Sequence, residues 1–169
     1  MGEIPQYLAV VEGQQFIWLP GRLPGFNELA GAALLPRNGG RAYAGLKRDV
    51  EQRIGVLLKS ERVKPVMKPS YFTYLFVEGD RRRDPSNVSA GGIKVIEDAL
   101  QACGRVHGPK RKVLKRGLLA GDGWAHVLGI ASYVVTGEEP GCFVAICPDT
   151  TLTKTEMVEW MGKHRKAKP

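Results

Sequence analysis

Cysteine is scarce in this chain: only Cys103, Cys142 and Cys147 occur among 169 residues, and no two form a Cys-x-x-Cys pair. An odd, dispersed set excludes a disulfide framework and a zinc ribbon, which leaves buried free thiols as the expectation. Long apolar runs are missing too. No segment approaches the ~20 residues that a membrane-spanning helix requires, and the first residues, with Glu3 and Pro5, lack the basic and apolar regions of a secretion signal. A cytoplasmic protein with no membrane contact is therefore expected. Acidic residues are in the minority, 17 against 25 Lys and Arg, for a net charge of +8. That excess favours a polyanionic partner through counterion release, against the plainer alternative of a well-solvated surface. Repeats and low-complexity segments are absent, and 43% hydrophobic with 25% charged residues suits one packed core.

What is there reads as a mixed α+β (α/β) chain: a mixed sheet with helices packed on it in a single domain. Residues 14 to 19 form a strand that stops at Pro20, and Pro-Gly-Arg-Leu-Pro-Gly-Phe-Asn after it has the chemistry of a surface loop. Tyr43, Leu46, Val50, Ile54 and Leu57 recur at helical spacing, with Lys47, Arg48, Glu51 and Arg53 mostly opposite, so 43 to 59 is an amphipathic helix. Residues 70 to 78 are apolar on both alternating sets, as in a central strand covered on both faces. A charged loop follows, then a helix from about 88 to 101 that turns Ile93, Ile96 and Leu100 inward. Residues 104 to 117 hold six basic residues between Arg105 and Arg116 and read as a mobile surface loop. Strands at 126 to 135 and 142 to 147 are expected to pair as an antiparallel hairpin, and Thr153-Lys-Thr-Glu156 caps a short terminal helix ahead of a basic tail.

Phosphodiester hydrolysis with a hard divalent ion needs converging carboxylates. Asp84 follows the central strand and Asp122 precedes the next, so neighbouring strand ends would bring both to one rim of the sheet. Pro85 holds Asp84 extended and out of the helix. Spacing alone favours the plainer reading, in which both are turn residues.

Order along the chain adds a resemblance. Asp80-Arg-Arg-Arg-Asp-Pro-Ser-Asn87, Ile93-Lys-Val-Ile-Glu-Asp-Ala-Leu100 and Gly121-Asp-Gly-Trp-Ala-His-Val127, with Leu19-Pro-Gly-Arg-Leu-Pro-Gly-Phe-Asn27 upstream, resemble the signature of the RusA family of Holliday junction resolvases over residues 15 to 147. The resemblance implies a RusA-like domain over 1–150, with 151–169 as a C-terminal helix and tail. It implies a homodimeric, Mg²⁺-dependent endonuclease (Mn²⁺ as the substitute ion) that nicks four-way DNA junctions symmetrically, in a bacterial or phage-infected cytoplasm.

Carried over by position, the metal-binding residues are Asp84, Ser86 and Asp122, with Ser86 standing where the family has its second aspartate. A neutral hydroxyl is a poorer Mg²⁺ ligand than a carboxylate. Three origins of Ser86 stay open: a diverged enzyme, an inactive relative that only binds junction DNA, or a substitution made to trap a complex. As a plain helix N-cap, Ser86 also has a structural role. Ala90 occupies the position of the family's lysine, so Lys94, four residues on, joins Asp84 and Asp122 as the catalytic candidate, or is a solvated helix residue. Glu97 and Asp98 lie too far along the helix to be included. DNA contacts are expected from Arg81, Arg82 and Arg83, rather than a role balancing nearby acids. Lys110, Arg111, Lys112, Lys115 and Arg116 form a second DNA-binding set, unless the loop is a tolerated insertion. Trp124 and His126 are expected to be structural. A basic RNA-binding protein is a weaker alternative, lacking the aromatic ribonucleoprotein motif.

Overall fold

The computed structural model describes residues 6–11, 13–59, 64–115 and 117–165. Its centre is a five-stranded mixed sheet in the order β1-β2-β7-β3-β6, from strands β1 (Gln6–Val11), β2 (Gln14–Pro20), β3 (Ser70–Glu78), β6 (Val127–Thr136) and β7 (Gly141–Cys147). A separate ribbon pairs β4 (Val106–His107) with β5 (Val113–Lys115). Helices α1 (Phe26–Ala33), α2 (Gly39–Lys59) and α3 (Pro85–Ala102) lie on one face of the sheet, and α4 (Lys154–Arg165) lies on the other.

β3 organises this arrangement because both of its side-chain sets are apolar. Phe72, Tyr74 and Phe76 enter the core beneath α1–α3, together with Val50, Ile54, Ile96 and Leu100. Leu75 and Val77 enter the second core with Phe16, Trp18, Phe143 and Met157 of α4. With both faces covered, the buried polar groups of the strand find partners: Thr73 accepts the Leu152 amide on its hydroxyl at 2.9 Å, and Glu78 at the strand end pairs with Arg83. α4 therefore completes the same domain as residues 13–150. Its capping box forms as expected: Thr153 Oγ1 accepts the Glu156 amide and Glu156 accepts the Thr153 amide at 2.7 Å.

Several expectations are corrected. The strands at 127–136 and 141–147 are not a hairpin. β3 lies between them, parallel to β6 and antiparallel to β7, and the short connection crosses its end, where the Gly137 amide donates to Glu78 O at 2.9 Å. A strand covered on both faces lies inside the sheet, so both of its backbone edges are paired. The segment after β2 is also not simply surface. Leu23, Pro24 and Gly25 are buried, and Phe26–Ala33 is helical. Arg53 does not face solvent but donates to Pro20 O at 2.8 Å, while Arg83 donates to Leu23 O at 2.9 Å. The three cysteines are free and buried, and burial pushes the Cys103 and Cys147 thiols up to about 11.

Within 104–117, Val106–His107 and Val113–Lys115 pair as a short antiparallel ribbon, an element the sequence did not lead us to expect. Lys110 and Arg111 at its tip adopt φ of 54° and 59°, a left-handed conformation that costs a non-glycine residue about 1 kcal/mol or more. Its root is fixed by Gly117, where a Cβ would come within 2.0 Å of Gln101 O, and by the Leu118 and Leu119 amides donating to Cys103 O and Leu100 O.

α3 crosses the Pro24–Phe26 segment at Gly91, where a Cβ would lie 2.3 Å from Gly25 C and 2.4 Å from Phe26 N. Gly91→Ala is expected to destabilise the fold by at least about 2 kcal/mol, read from urea unfolding. An unchanged midpoint would mean that α3 stands off this segment.

Candidate functional site

α3 carries the candidate chemistry at two separate places. Asp84 is its N-cap residue, in extended backbone with φ −66° and ψ 138°, Pro85 opens the helix, and Ser86 follows as an exposed residue of the first turn. The cap position therefore belongs to Asp84 and not to Ser86. Asp84 makes no side-chain capping bond, so its carboxylate remains free for other partners. Asn87 serves the fold instead, since its Oδ1 accepts the Asn27 amide at 2.8 Å and ties the first turn of α3 to that of α1. Asp84 borders a groove of about 500 Å³ lined also by Asp80, Arg81, Arg83, Thr136 and Lys154.

The three arginines before Asp84 divide by role. Arg83 belongs to the fold. Its guanidinium pairs with Glu78 at 2.6 Å and with Glu28 at 3.1 Å, and only 13% of its side chain is exposed. The role of balancing nearby acids, not expected from the sequence, is the one Arg83 fills. Burial opposes ionisation of Glu28, yet Arg22, the Gly25 amide and Arg83 together hold its carboxyl below the usual range. Arg82, with 89% of its side chain exposed, lies 3.5 Å from Asp80. Arg81 is exposed and forms no ion pair among the described residues.

Asp122 stands elsewhere. Because β6 runs parallel to β3, the segment before β6 lies at the start of β3, whereas Asp84 follows its end. Asp122 meets the middle of α3, 3.6 Å from the Lys94 ammonium. Lys94 lies ten residues beyond Asp84 on α3, a rise of about 15 Å. The expectation that Asp84 and Asp122 share one rim therefore fails within a single chain, since it holds only for antiparallel neighbours. Among the described residues no three His, Cys, Asp or Glu side chains are grouped closely enough to hold a metal ion. The set Asp84, Ser86 and Asp122 thus does not fit Mg²⁺ in one copy of the chain.

Asp122 does join Asp98 and Glu97, which the sequence placed outside the site. Lys94 binds Asp98 at 2.9 Å, Lys47 of α2 binds the other Asp98 oxygen at 2.6 Å, and the buried Tyr74 hydroxyl donates to Glu97 at 3.1 Å. The Asp98 hydrogen bond raises Lys94, assisted by the charges of Asp98 and Asp122 and opposed by burial, so it remains a cation. Burial works to raise Asp98, but Lys47 and Lys94 more than offset it and hold the carboxyl low. Glu97 moves the other way: burial raises it, with the negative charges of Asp122 and Asp98 adding to the effect. The i,i+4 spacing of Lys94 and Asp98 was visible in the sequence; the approach of Lys47 from another helix was not.

Beside Asp122, Trp124 is 88% exposed and not packed as expected. The His126 and Val127 amides both donate to Gly123 O, closing a turn that lifts the indole outward. His126 is half-buried, its ring close to Gly121. Lys110, Arg111, Lys112 and Lys115 are all exposed on the β4–β5 ribbon; Arg116 lies outside the described residues.

No protein-family model matches the chain, and no curated protein matches it.

Arg83→Ala, which strands two carboxylates, is expected to cost about 3 kcal/mol. Arg81→Ala should stay within about 0.5 kcal/mol of the unmodified protein. Equal midpoints in urea would erase the division between fold and surface arginines. For Glu97 the folded-state value lies above the unfolded one, so its contribution is present at low pH and lost as pH rises through the raised value. Glu97→Gln keeps an acceptor for Tyr74 and removes the charge. Its melting temperature should therefore exceed that of the unmodified protein by more at pH 8 than at pH 4; a pH-independent difference would contradict the assignment.

Proposed function

We propose that the chain acts as a homodimeric, Mg²⁺-dependent endonuclease that nicks four-way (Holliday) DNA junctions in symmetric pairs, in the cytoplasm of a bacterial or phage-infected cell. The observation that carries this reading is the bare outer edge of β6. This ten-residue edge strand contains neither charge nor proline, and Leu128 and Ile130 are 41% and 47% exposed. Long uncharged edges are sites of strand pairing.

Two β6 strands paired antiparallel about a two-fold axis would set Val127 of one protomer against Thr136 of the other. The Asp122 segment precedes Val127, and Thr136 lines the groove beside Asp84. Each of two equivalent sites would then combine Asp84 from one protomer with Asp122 and Lys94 from the other, which restores the pair of carboxylates that a single chain keeps apart. Mg²⁺, or Mn²⁺ in its place, would be held by these two carboxylates, with Ser86 offering a neutral oxygen; when bound it supplies Lewis-acid activation of water and offsets phosphate charge. Arg81 and Arg82 would hold the DNA backbone beside Asp84. Lys94, kept protonated chiefly by Asp98, would act as a cation toward phosphate rather than as a base.

A second reading, binding of junction DNA without cleavage, is favoured by two observations: Asp122 is already paired with Lys94, and Ser86 supplies no charge.

A labelled four-way junction with Mg²⁺ distinguishes the two readings. Asp84→Asn and Asp122→Asn should each abolish nicking alone. Dimers re-formed from a mixture of the two should regain about a quarter of the sites, because half the dimers are mixed and each mixed dimer holds one intact site. No recovery on mixing would reject the shared site. Ser86→Asp should raise the nicking rate. Failure of both the unmodified protein and Ser86→Asp to cut, together with junction binding indifferent to Mg²⁺, would replace the nuclease reading with the binding one.

A further inference from the structure

The geometry points to the β4–β5 ribbon as a grip for double-stranded DNA, entering the major groove of a B-form arm with Lys110 and Arg111 at its leading end. The inference rests on the reading of DNA as partner, not on cleavage.

Charge comes first. From Gly104 to Gly121 there is no acidic residue, and Arg105, Lys110, Arg111, Lys112 and Lys115 are all exposed. None of these five side chains has an ion-pair or hydrogen-bond partner among the described residues. That separates them from Lys47, Arg53 and Arg83, whose charges are met inside the protein.

The backbone supplies a second, independent observation. Both tip residues adopt positive φ, and the Lys112 amide donates to Pro109 O at 3.2 Å, closing a turn with Lys110 and Arg111 at its two central positions. A two-residue turn of this kind prefers Asn-Gly. Here two long cations occupy positions where small residues would be easier to hold, so the turn presents charge at some loss of conformational ease.

Anchoring is the third observation. The chain beyond the ribbon is tied to the fold where Gly117 crosses the end of α3 and where the Val66 amide donates to Leu118 O at 2.7 Å. An arm held in place before binding loses less freedom on binding. A two-stranded ribbon fits the roughly 12 Å width of the B-DNA major groove, whereas the deep, narrow groove of A-form RNA excludes it. Val106 and Val113, 47% and 46% exposed, leave apolar surface able to meet thymine methyl groups.

The test replaces the tip by the residues its backbone prefers, Lys110→Asn with Arg111→Gly, and measures binding to a short linear duplex in EDTA. The melting temperature should be unchanged or higher. Affinity should fall about tenfold or more at low salt, and the slope of log affinity against log salt should shrink by about two. Lys112→Ala with Lys115→Ala, which leaves the turn intact, should produce a similar loss. Unchanged affinity and slope in both variants would overturn the grip, and equal competition by duplex RNA would overturn the groove assignment. Junction cleavage by the unmodified protein, followed in parallel, separates the readings: no cleavage with weakened duplex binding in the variants leaves the grip standing and removes the nuclease. No duplex binding by the unmodified protein removes both.

Discussion

The parallel pairing of β3 with β6 is the constraint on which everything else depends. β3 is apolar on both faces, so it is sheathed by α1–α3 on one side and α4 on the other, with a neighbour along each edge. Returning to a parallel neighbour requires a crossover, and α3 provides it. Once that crossover exists, whatever follows β3 and whatever precedes β6 are held at opposite ends of the sheet. Asp84 and Asp122 are separated within one chain by topology and not by a local irregularity.

The surplus of positive charge is divided in a similar way. Some cations are structural members: Arg83 bridges Glu78 and Glu28, and Arg53 binds the backbone of the segment after β2. Others, including Arg81 and the cations of the β4–β5 ribbon, have no acidic partner among the described residues and face solvent. Removing a partly buried guanidinium that answers a buried carboxylate, as Arg83 answers Glu78, is strongly destabilising, while exposed ones are free to exchange solvent counterions for phosphate. The net charge of the chain contains both populations and does not distinguish them.

Much of the architecture was legible because its signals are local. The strand at 70–78 announced itself by being apolar on both alternating sets, α2 and α3 by helical spacing, and α4 by its capping box. What was not legible depends on partners distant in sequence. The two strands after residue 126 carry ordinary strand patterns, and nothing in them records that β3 will lie between. α1 is short and opens among prolines and glycines, so its turn residues concealed it. Arg83 reads as one of three equal arginines until Glu28, 55 residues away, comes within reach. Trp124 looked like core because tryptophan usually is; a turn closed by two bonds to Gly123 O decided otherwise. At the candidate site the residue types were legible, but their grouping was not. Asp122 belongs with Lys94, Asp98 and Glu97, and Asp84 stands apart.

The position of β7 has a consequence for how the chain acquires its shape. β2 and β3 do not touch in the sheet order; β7, which comes near the end of the sequence, is the wedge between them. Although α1 and α2 can pack on α3 beforehand, the edges of β2 and β3 that face one another across the sheet stay unpaired until residues 141–147 emerge between them. Such late, long-range closure slows folding and leaves strand edges exposed in the interim. The seven residues of β7, all buried at completion, are thus the keystone of assembly as well as part of the core.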